Sequence, residues 1–392
     1  LRSSRSSFGG READAVPLRR RGVNYRHLFS RFLDTDPSRL HFAAHSHHPW
    51  PDVTYDAHSR WWEDAAQAMD DKWEDFFASF VPRLRGKLGR LLNLGNGATI
   101  AFAPNTHELV NRVFSTLAMP IRVVTTTSEF HSFDRQLRRW EEAGWAKVTR
   151  VETEPFATFS ERFLDQTIDA DLIYLSQVFF DSGFVVVHLD DLVARFPSTA
   201  TVIIDGYHGF MARPIDLGLI ADRAFFVAGG YKYAMAGEGA AFMHCPPGVA
   251  ERPVDTGWYA GFGSLTDRVE EISYGSDGDR FWGATQDGSG LYRLEAVLSL
   301  LEANAITPAV IHEHVHHLQR EFLARAPDLG DLLPPAEFER GSFLTFRRSD
   351  ARDLYQRLHG QGVITDYRGD RLRIGFGIYH QPSDVARLIS SL

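Results

Sequence analysis

The sequence predicts an α/β protein that has a large, mostly parallel sheet between helices and a smaller α+β domain. Short apolar or β-branched runs alternate with helix-like stretches from about residue 98 onward, and such alternation is typical of a parallel sheet covered on both faces. After about residue 283 the order changes to two long helical stretches, two strands and a final helix. With 392 residues the chain is long enough to form two domains.

The individual elements follow from the spacing of apolar residues. Buried strands are predicted over 98–102, 122–126, 171–176, 201–205, 224–227 and 240–243. Helices are predicted over 55–80, 108–117, 133–143 and 189–196. In the last part of the chain we predict helices over 291–303, 311–326 and 382–392, and strands over 343–347 and 372–376. The expected division is a segment joining the small domain (26–50), a large domain (51–282) and the small domain itself (283–392).

The amino-acid composition limits the kinds of binding partner and the cellular compartment that we expect. The net charge is −9 and the pI is near 6.0, which argues against binding to nucleic acid or to an anionic membrane. The sequence has no apolar run of about 18 residues, so a membrane-spanning helix is not expected. The single cysteine, Cys245, excludes an internal disulfide and fits a reducing compartment. We expect a cytoplasmic protein in which residues 1–25, biased toward Arg and Ser, are a disordered or mis-started N-terminus.

Lys232 stands out because lysine is rare in this chain. Of the 42 basic residues only four are lysines, and Lys232 lies in an apolar, glycine-bracketed stretch. A primary amine can condense with an aldehyde, and burial favours its neutral, nucleophilic form. Upstream, Asp205 closes an apolar strand and His208 follows it. A strand-end carboxylate, a nearby imidazole and a lysine in this order are typical of a pyridoxal phosphate site, in which the carboxylate keeps the pyridine nitrogen protonated.

Other residues fit such a site, although each has a plainer explanation. Asn105 and Thr106 follow a strand and open a helix, where backbone donors suit a phosphate, but Thr106 could simply cap the helix. Phe130 follows another strand and could stack on a pyridine ring or belong to the core.

Two groups of histidines resemble metal ligands. His312-Glu-His-Val-His316 matches the pattern H-E-x-x-H, but a third ligand is not evident and a solvated helix face is favoured. The second group, His41, His45, His47 and His48, fits the lining of a substrate pocket better than a metal site. We therefore predict no metal.

These residues resemble those of the aminotransferase class V group, which are fold-type-I enzymes that depend on pyridoxal phosphate. Within this group the chain is most similar to kynureninases, from about His41 to the C-terminus. The most specific stretch is Ile204-Asp-Gly-Tyr-His-Gly-Phe, followed by Phe226-Val-Ala-Gly-Gly-Tyr-Lys-Tyr and a glycine-rich turn.

The resemblance implies a role for each matching residue. Lys232 would carry the cofactor as an internal aldimine, Asp205 would pair with its pyridine nitrogen, and Arg373 would clamp the α-carboxylate of the substrate. The other matches concern the cofactor: His208 beside the ring, Phe130 stacked on it, and Asn105, Thr106, Tyr231, Trp258 and Thr285 near the phosphate. Because the position of Thr285 meets the phosphate of the other subunit in the family, the resemblance also implies a homodimer with a shared cofactor site.

The chain departs from kynureninases around the substrate side chain. It has His45-Ser-His-His-Pro where they have an Asn-Ser-Leu-Gly-like motif, and His48 is the candidate substrate-binding residue there. Asp181 stands at about the place of a tyrosine thought to help proton transfer, and Gln286 at the place of an asparagine that reads the substrate.

The resemblance therefore implies a pyridoxal phosphate enzyme that acts on an α-amino acid through an external aldimine. Kynureninase-type hydrolysis of the Cβ–Cγ bond, releasing alanine and an aryl acid, is favoured, with a class V aminotransferase or β-lyase as the alternative. A cysteine desulfurase needs a nucleophilic cysteine on a loop well beyond the lysine. This interpretation is rejected because Cys245 lies soon after Lys232 and directly follows a predicted strand. A binding or regulatory protein of the same fold would be expected to lose Lys232 or Arg373, and both are present.

Overall fold

The computed structural model describes residues 24–264 and 271–392. The N-terminus predicted to be disordered, residues 1–25, lies outside these ranges except for its last two residues. The α-helices are α1 (Ser30–Leu33), α2 (Val53–Ala68), α3 (Lys72–Asp75), α4 (Val81–Leu91), α5 (Thr106–Phe114), α6 (His131–Glu142), α7 (Phe159–Gln166), α8 (Leu189–Ala194), α9 (Ser289–Ala303), α10 (Pro308–Arg325), α11 (Ala351–Gly360) and α12 (Pro382–Ser391).

The strands form three sheets. They are β1 (Leu40–His41), β2 (Ile100–Ala103), β3 (Ile121–Thr126), β4 (Ala146–Val151), β5 (Leu172–Ser176), β6 (Thr201–Asp205), β7 (Ala224–Gly229), β8 (Ala241–His244), β9 (Asp331–Leu333), β10 (Phe343–Arg347), β11 (Val363–Ile364), β12 (Asp366–Arg368) and β13 (Arg371–Gly375). The largest sheet has seven strands in the order β2-β8-β7-β6-β5-β3-β4. In it β8 is antiparallel to both neighbours, and the other pairs are parallel.

This sheet confirms the predicted α/β class. Each strand that the sequence predicted in the large domain is present, with limits that differ by at most two residues. The sequence reasoning missed β4, which lies at the edge of the sheet. Its residues alternate between buried or half-buried and exposed positions, so it lacks the continuous apolar run that marks a central parallel strand.

The helix predicted over 55–80 is interrupted. The α2 helix ends at Ala68, a 3-10 turn follows at Met69–Asp71, and a π-helix at Phe76–Phe80 leads into α4. Met69 at the first break has a positive φ of 50°, which a continuous right-handed helix does not allow. Within this region Trp61 and Trp73 pack against each other with ring centroids 5.9 Å apart, whereas Trp62 is 71% exposed.

The C-terminal part contains a four-stranded antiparallel sheet in the order β12-β13-β10-β9. The short strand β1 pairs in parallel with β11, so a segment near the start of the described chain joins this part. The division at about residues 50 and 283 remains our proposal, and this pairing supports it. Within the described ranges no single helix is long and apolar enough to cross a membrane, although α9 and α10 meet that test as a pair bent by 82°.

Candidate active site

A cavity of about 1130 Å³ opens at the carboxyl ends of the central strands. Ser176 and Asp205 are the last residues of the neighbouring parallel strands β5 and β6, and Lys232 follows β7. All three side chains line the cavity. Ligands of open α/β sheets bind at this edge, because the loops that follow parallel strands converge there. The topology therefore brings together residues that the sequence places on separate strands.

Lys232 is a buried residue of the cavity lining. Its Nζ lies 2.5 Å from Nε2 of His208, and it lies over the rings of Phe130 and Tyr207, 5.2 Å and 5.3 Å from their centroids. Burial lowers the pKa of Lys232 to about 7, with Asp205 opposing the shift. A substantial fraction of this amine is therefore neutral near neutral pH, as a nucleophilic lysine requires.

Asp205 faces the same cavity and is held by two donors. The Tyr174 hydroxyl donates to its Oδ2 at 2.8 Å, and the backbone N–H of Tyr207 donates to its Oδ1 at 2.9 Å. Between them, Gly206 passes so close to Phe226 that a Cβ would lie 1.9 Å from its ring, so only glycine fits this turn. Burial raises the pKa of Asp205 against these hydrogen bonds. The carboxylate is oriented to receive a protonated nitrogen.

Glu129 is a buried carboxyl close to Asp205, which the sequence reasoning missed. Its Oε2 accepts a hydrogen bond from the Ser176 hydroxyl at 2.5 Å, and its Oε1 accepts one from the Thr126 hydroxyl at 2.9 Å. Burial raises the pKa of Glu129 to about 8, against the hydrogen bond from Ser176 and with a further contribution from the charge of Asp205. Glu129 follows a strand just as Asp205 closes one, so the same sequence pattern could have found it.

Replacing Glu129 with glutamine is expected to flatten the pH dependence of stability. An unfolded carboxyl ionises near its ordinary pKa of 4.5, whereas Glu129 in the folded protein does so near 8. The folded state therefore holds more protons between these values, and the free energy of unfolding falls as pH rises through this window, by at most about 1.4 kcal/mol per pH unit. Urea denaturation between about pH 5 and pH 8 measures this slope. An unchanged slope in Glu129→Gln, compared with the exposed control Glu63→Gln, would contradict the assignment.

The N-terminus of α5 gives the cavity a place that suits a phosphate. Asn105 is the N-cap of α5, and its side chain accepts a hydrogen bond from the backbone N–H of Glu108 at 3.0 Å. Asn105, Thr106 and Tyr231 all line the cavity. The first backbone N–H groups of a helix are donors without intrahelical partners, and they attract an anion.

Two observations indicate that the cavity fits a planar, phosphorylated aldehyde such as pyridoxal phosphate. Phe130 is 41% exposed although its ring lies beside Lys232, which leaves an aromatic face available for stacking. The Nδ1 of His208 is buried and has no hydrogen-bond partner among the described residues. The amine of Lys232 would meet the aldehyde, and the carboxylate of Asp205 would meet the pyridine nitrogen. The N-terminus of α5 would meet the phosphate.

Arg373 lines the cavity and is 3% exposed. Its guanidinium forms an ion pair with Asp366 and donates to the carbonyl oxygen of Phe180. Its Nε is buried and has no acceptor among the residues described. Arg373 thus places a buried guanidinium in the cavity lining, and a guanidinium is the group that a carboxylate clamp needs.

The structure does not bring every candidate residue to the cavity. His48 is buried against Phe29, Tyr233 and Tyr379, and His45 and Ser46 line the cavity instead. The structure thus places the His48 side chain in an aromatic cluster and not in the cavity lining, and the geometry gives no support to its predicted role as a substrate-binding residue.

Asp181, Trp258 and Thr285 also lie away from the cavity lining. Asp181 forms an ion pair with Arg371 at 2.5 Å. Trp258 donates from its indole to the hydroxyl of Thr285 at 3.0 Å. This pair is exposed on the surface, where a second subunit could reach it.

The histidines of α10 lie outside this site. The rings of His312 and His316 are 4.0 Å apart, and burial lowers the pKa of both imidazoles. Among the residues that the structure describes, we find no group of three or more His, Cys, Asp or Glu side chains that could hold a metal ion.

Comparisons with known proteins agree with this geometry. The family model of the kynureninase C-terminal domain matches residues 303–392. A kynureninase from Deinococcus radiodurans is 25% identical over 85% of this chain and 81% of its own length. A probable cysteine desulfurase from Vibrio cholerae is 26% identical over 49% of the chain and 50% of its own length.

A solved structure of similar fold also contains the cofactor. A mutant of the protein C-DES, with glycine covalently linked to pyridoxal phosphate, superposes with a TM-score of 0.76 at 14% identity, covering 94% of this chain and 98% of that one. At this identity the superposition shows the fold. Together with the kynureninase matches, it supports the fold-type-I architecture described above.

Proposed function

We propose that this chain, a kynureninase-like member of the aminotransferase class V group, catalyses kynureninase-type hydrolysis of a Cβ–Cγ bond and releases alanine and an aryl acid. It is a pyridoxal phosphate enzyme of the kind that acts on small amino acids. The observation that carries the proposal is the shared cavity of Lys232 and Arg373, in which a neutralisable amine and a buried guanidinium can hold the two ends of an amino acid.

The cofactor would be held by residues of three groups. Lys232 would bind its aldehyde, Asp205 its pyridine nitrogen, and Phe130 would stack on its ring. The phosphate would meet Asn105, Thr106 and Tyr231, with His208 beside the ring. When bound, pyridoxal phosphate supplies an electron sink that stabilises negative charge at the Cα of the substrate.

The chain's own groups would then position the substrate and move its proton. The guanidinium of Arg373 would bind the α-carboxylate and fix the orientation of the Cα–H bond. The amine of Lys232, whose pKa lies near 7 because of burial, would take the Cα proton as a general base. The carboxylate of Asp205 would keep the ring nitrogen protonated throughout.

The cavity wall next to Arg373 is aromatic, which favours a substrate with an aryl side chain. The guanidinium lies over the ring of Phe180, 5.7 Å from its centroid, and Phe180 also packs edge-on against His131 and Phe130. These rings line the cavity and offer an apolar, aromatic surface to a substrate ring.

A β-lyase is the second candidate function. The chain lacks a tyrosine at the position of Asp181, and Asp181 is paired with Arg371, whereas elimination of a β-substituent does not require that group. A desulfurase is less well supported, because Cys245 is completely buried and burial raises the pKa of its thiol to about 12, so that the thiolate needed for attack is scarce.

We further propose a homodimer, in which Trp258 and Thr285 reach the cofactor phosphate of the other subunit. Their exposed, mutually bonded side chains outside the cavity support this arrangement. A cytoplasmic location is supported by the single buried cysteine.

The test is turnover of L-kynurenine and 3-hydroxykynurenine by the purified, cofactor-loaded protein. Formation of anthranilate-type fluorescence together with stoichiometric alanine would support the hydrolysis. Retained cofactor absorbance without turnover of either compound would refute it. Pyruvate released from cystine would then support a β-lyase, and a keto acid formed with an amino acceptor would support an aminotransferase.

A further inference from the structure

Two arginines share one wall of the active-site cavity and are joined by a carboxylate behind it. Arg368 and Arg373 both line the cavity, whereas Asp366 does not. Asp366 and Arg368 lie on β12, and Arg373 lies on β13, the antiparallel neighbour of β12. Asp366 is directly opposite Arg373 in the register of this pair. The hairpin itself therefore fixes the carboxylate beside the guanidinium.

Each oxygen of Asp366 serves one arginine. The Oδ1 accepts a hydrogen bond from Nη1 of Arg368 at 2.5 Å, and the Oδ2 accepts one from Nη2 of Arg373. Asp366 is buried, and Arg373 is more deeply buried still. Although burial opposes it, the charges of Arg373 and Arg368 lower the pKa of Asp366 well below its usual range. The group is thus an anion at all ordinary pH values.

Two neighbouring groups, His45 and Arg371, add no net charge to Asp366, Arg368 and Arg373. His45 stacks on Phe343 with ring centroids 4.7 Å apart, and burial, followed by the charge of Arg373, lowers its pKa to about 3, so the imidazole is neutral. Arg371, on the same strand as Arg373, is neutralised by Asp181 at 2.5 Å. The wall therefore carries two guanidinium charges against one carboxylate, which leaves one net positive charge.

From this geometry we infer that Asp366 is a positioning residue that holds Arg373 toward the cavity and sets the wall to accept a single negative charge. The site would then select an α-amino carboxylate over an amino acid analogue that carries a dianionic group, such as a phosphonate, in the same place. This inference rests on the proposed function, in which Arg373 binds the α-carboxylate. It assigns a task to a residue that does not itself touch the substrate.

The physical reason is the cost of unbalanced charge in a buried site. A monoanion brings the net charge of the wall to zero, whereas a dianion leaves an excess negative charge near Asp366. Interactions between unit charges a few ångströms apart exceed about 1.4 kcal/mol at the dielectric of a partly buried site. Removing the charge of Asp366 should therefore favour a dianion over a monoanion by about tenfold or more.

The experiment compares acetate and sulfate binding to the cofactor-loaded protein, followed by their effect on the visible absorbance band. Asp366→Asn keeps the shape of the side chain and removes its charge, so the ratio of sulfate to acetate affinity should rise by about tenfold or more. An unchanged ratio would overturn the inference. Asp370→Asn is the matched control, because Asp370 is an exposed carboxylate near the same hairpin turn that pairs with Arg347 at 3.8 Å. An equal rise in this control would also overturn the inference.

A second variant keeps the test decisive if Asp366→Asn does not fold. Arg368→Gln lowers the net charge of the wall, so both affinities should fall, and the affinity for sulfate should fall more. A ratio that stays constant would contradict the charge count.

Arg373→Met separates this inference from the proposed function. If acetate binds to that variant as tightly as to the unmodified protein, Arg373 does not bind the carboxylate. The proposed function would then be wrong at this residue, independently of the role of Asp366.

Discussion

Replacing Lys232 with alanine is expected to abolish the visible absorbance band of the bound cofactor. The band depends on the bond between the cofactor aldehyde and a lysine amine, and Lys232 is the buried lysine whose Nζ lies beside Phe130, Tyr207 and His208. Turnover should fall by at least about a thousandfold, because covalent attachment and proton transfer at Cα are lost together. Absorbance spectra of the purified variant with added pyridoxal phosphate provide the measurement.

The matched control for this change is Lys147→Ala. Lys147 is an exposed residue of the edge strand β4, and its removal should leave the band intact. Circular dichroism would establish that both variants are folded. A band that persists in Lys232→Ala would show that another amine holds the cofactor, and the assignment of the Schiff base to Lys232 would be wrong.

Replacing Arg373 with alanine is expected to raise KM for the amino acid substrate by at least about thirtyfold. A buried, charge-assisted pair between a guanidinium and a carboxylate is worth roughly 2–5 kcal/mol, and the interaction with the α-carboxylate is present in the ground state as well as in the transition state. The loss should therefore appear mainly in KM. Steady-state kinetics at equal cofactor occupancy would measure it.

An exposed arginine of the same domain gives the control. Arg352 on α11 is exposed, and Arg352→Ala should leave KM unchanged. If Arg373→Ala also leaves KM unchanged, the substrate carboxylate binds elsewhere. A large loss of kcat with constant KM would instead indicate that Arg373 acts on the transition state alone.

The fold was largely predictable because its central strands carry continuous apolar runs. The β6 strand, for example, consists of β-branched residues followed by Asp205, and all but that last residue are buried. The β4 strand was missed because an edge strand needs only partial burial, so its pattern resembles that of a loop. The break at Met69 has no sequence signal of this kind, since it depends on how α2 meets the helices that follow.

Candidate site residues were predictable where the local sequence around a single residue is informative. Lys232 and Asp205 were found from local context, namely rarity, apolar flanks and the end of a strand. The approach of His45 to Asp366 was not predictable in this way, because the two residues come from opposite ends of the chain. The sequence alone also did not distinguish His48 from His45. The sequence places both in one short segment, and only the register of that segment against β13 decides which imidazole faces the cavity.

The pairing of β1 with β11 has a consequence for the order in which the protein can be completed during synthesis. Translation delivers the strands from β2 to β8, and with them Asp205 and Lys232, well before the small domain exists. The segment that carries His45 must wait, since β1 is paired with β11 and His41 contacts Tyr379, 338 residues farther along. A nascent chain that has just finished β8 therefore has the cofactor end of its site but lacks the wall that contains Arg373. The part of the site that carries Arg373 is made after the part that carries Lys232, and it closes on a segment that left the ribosome before both.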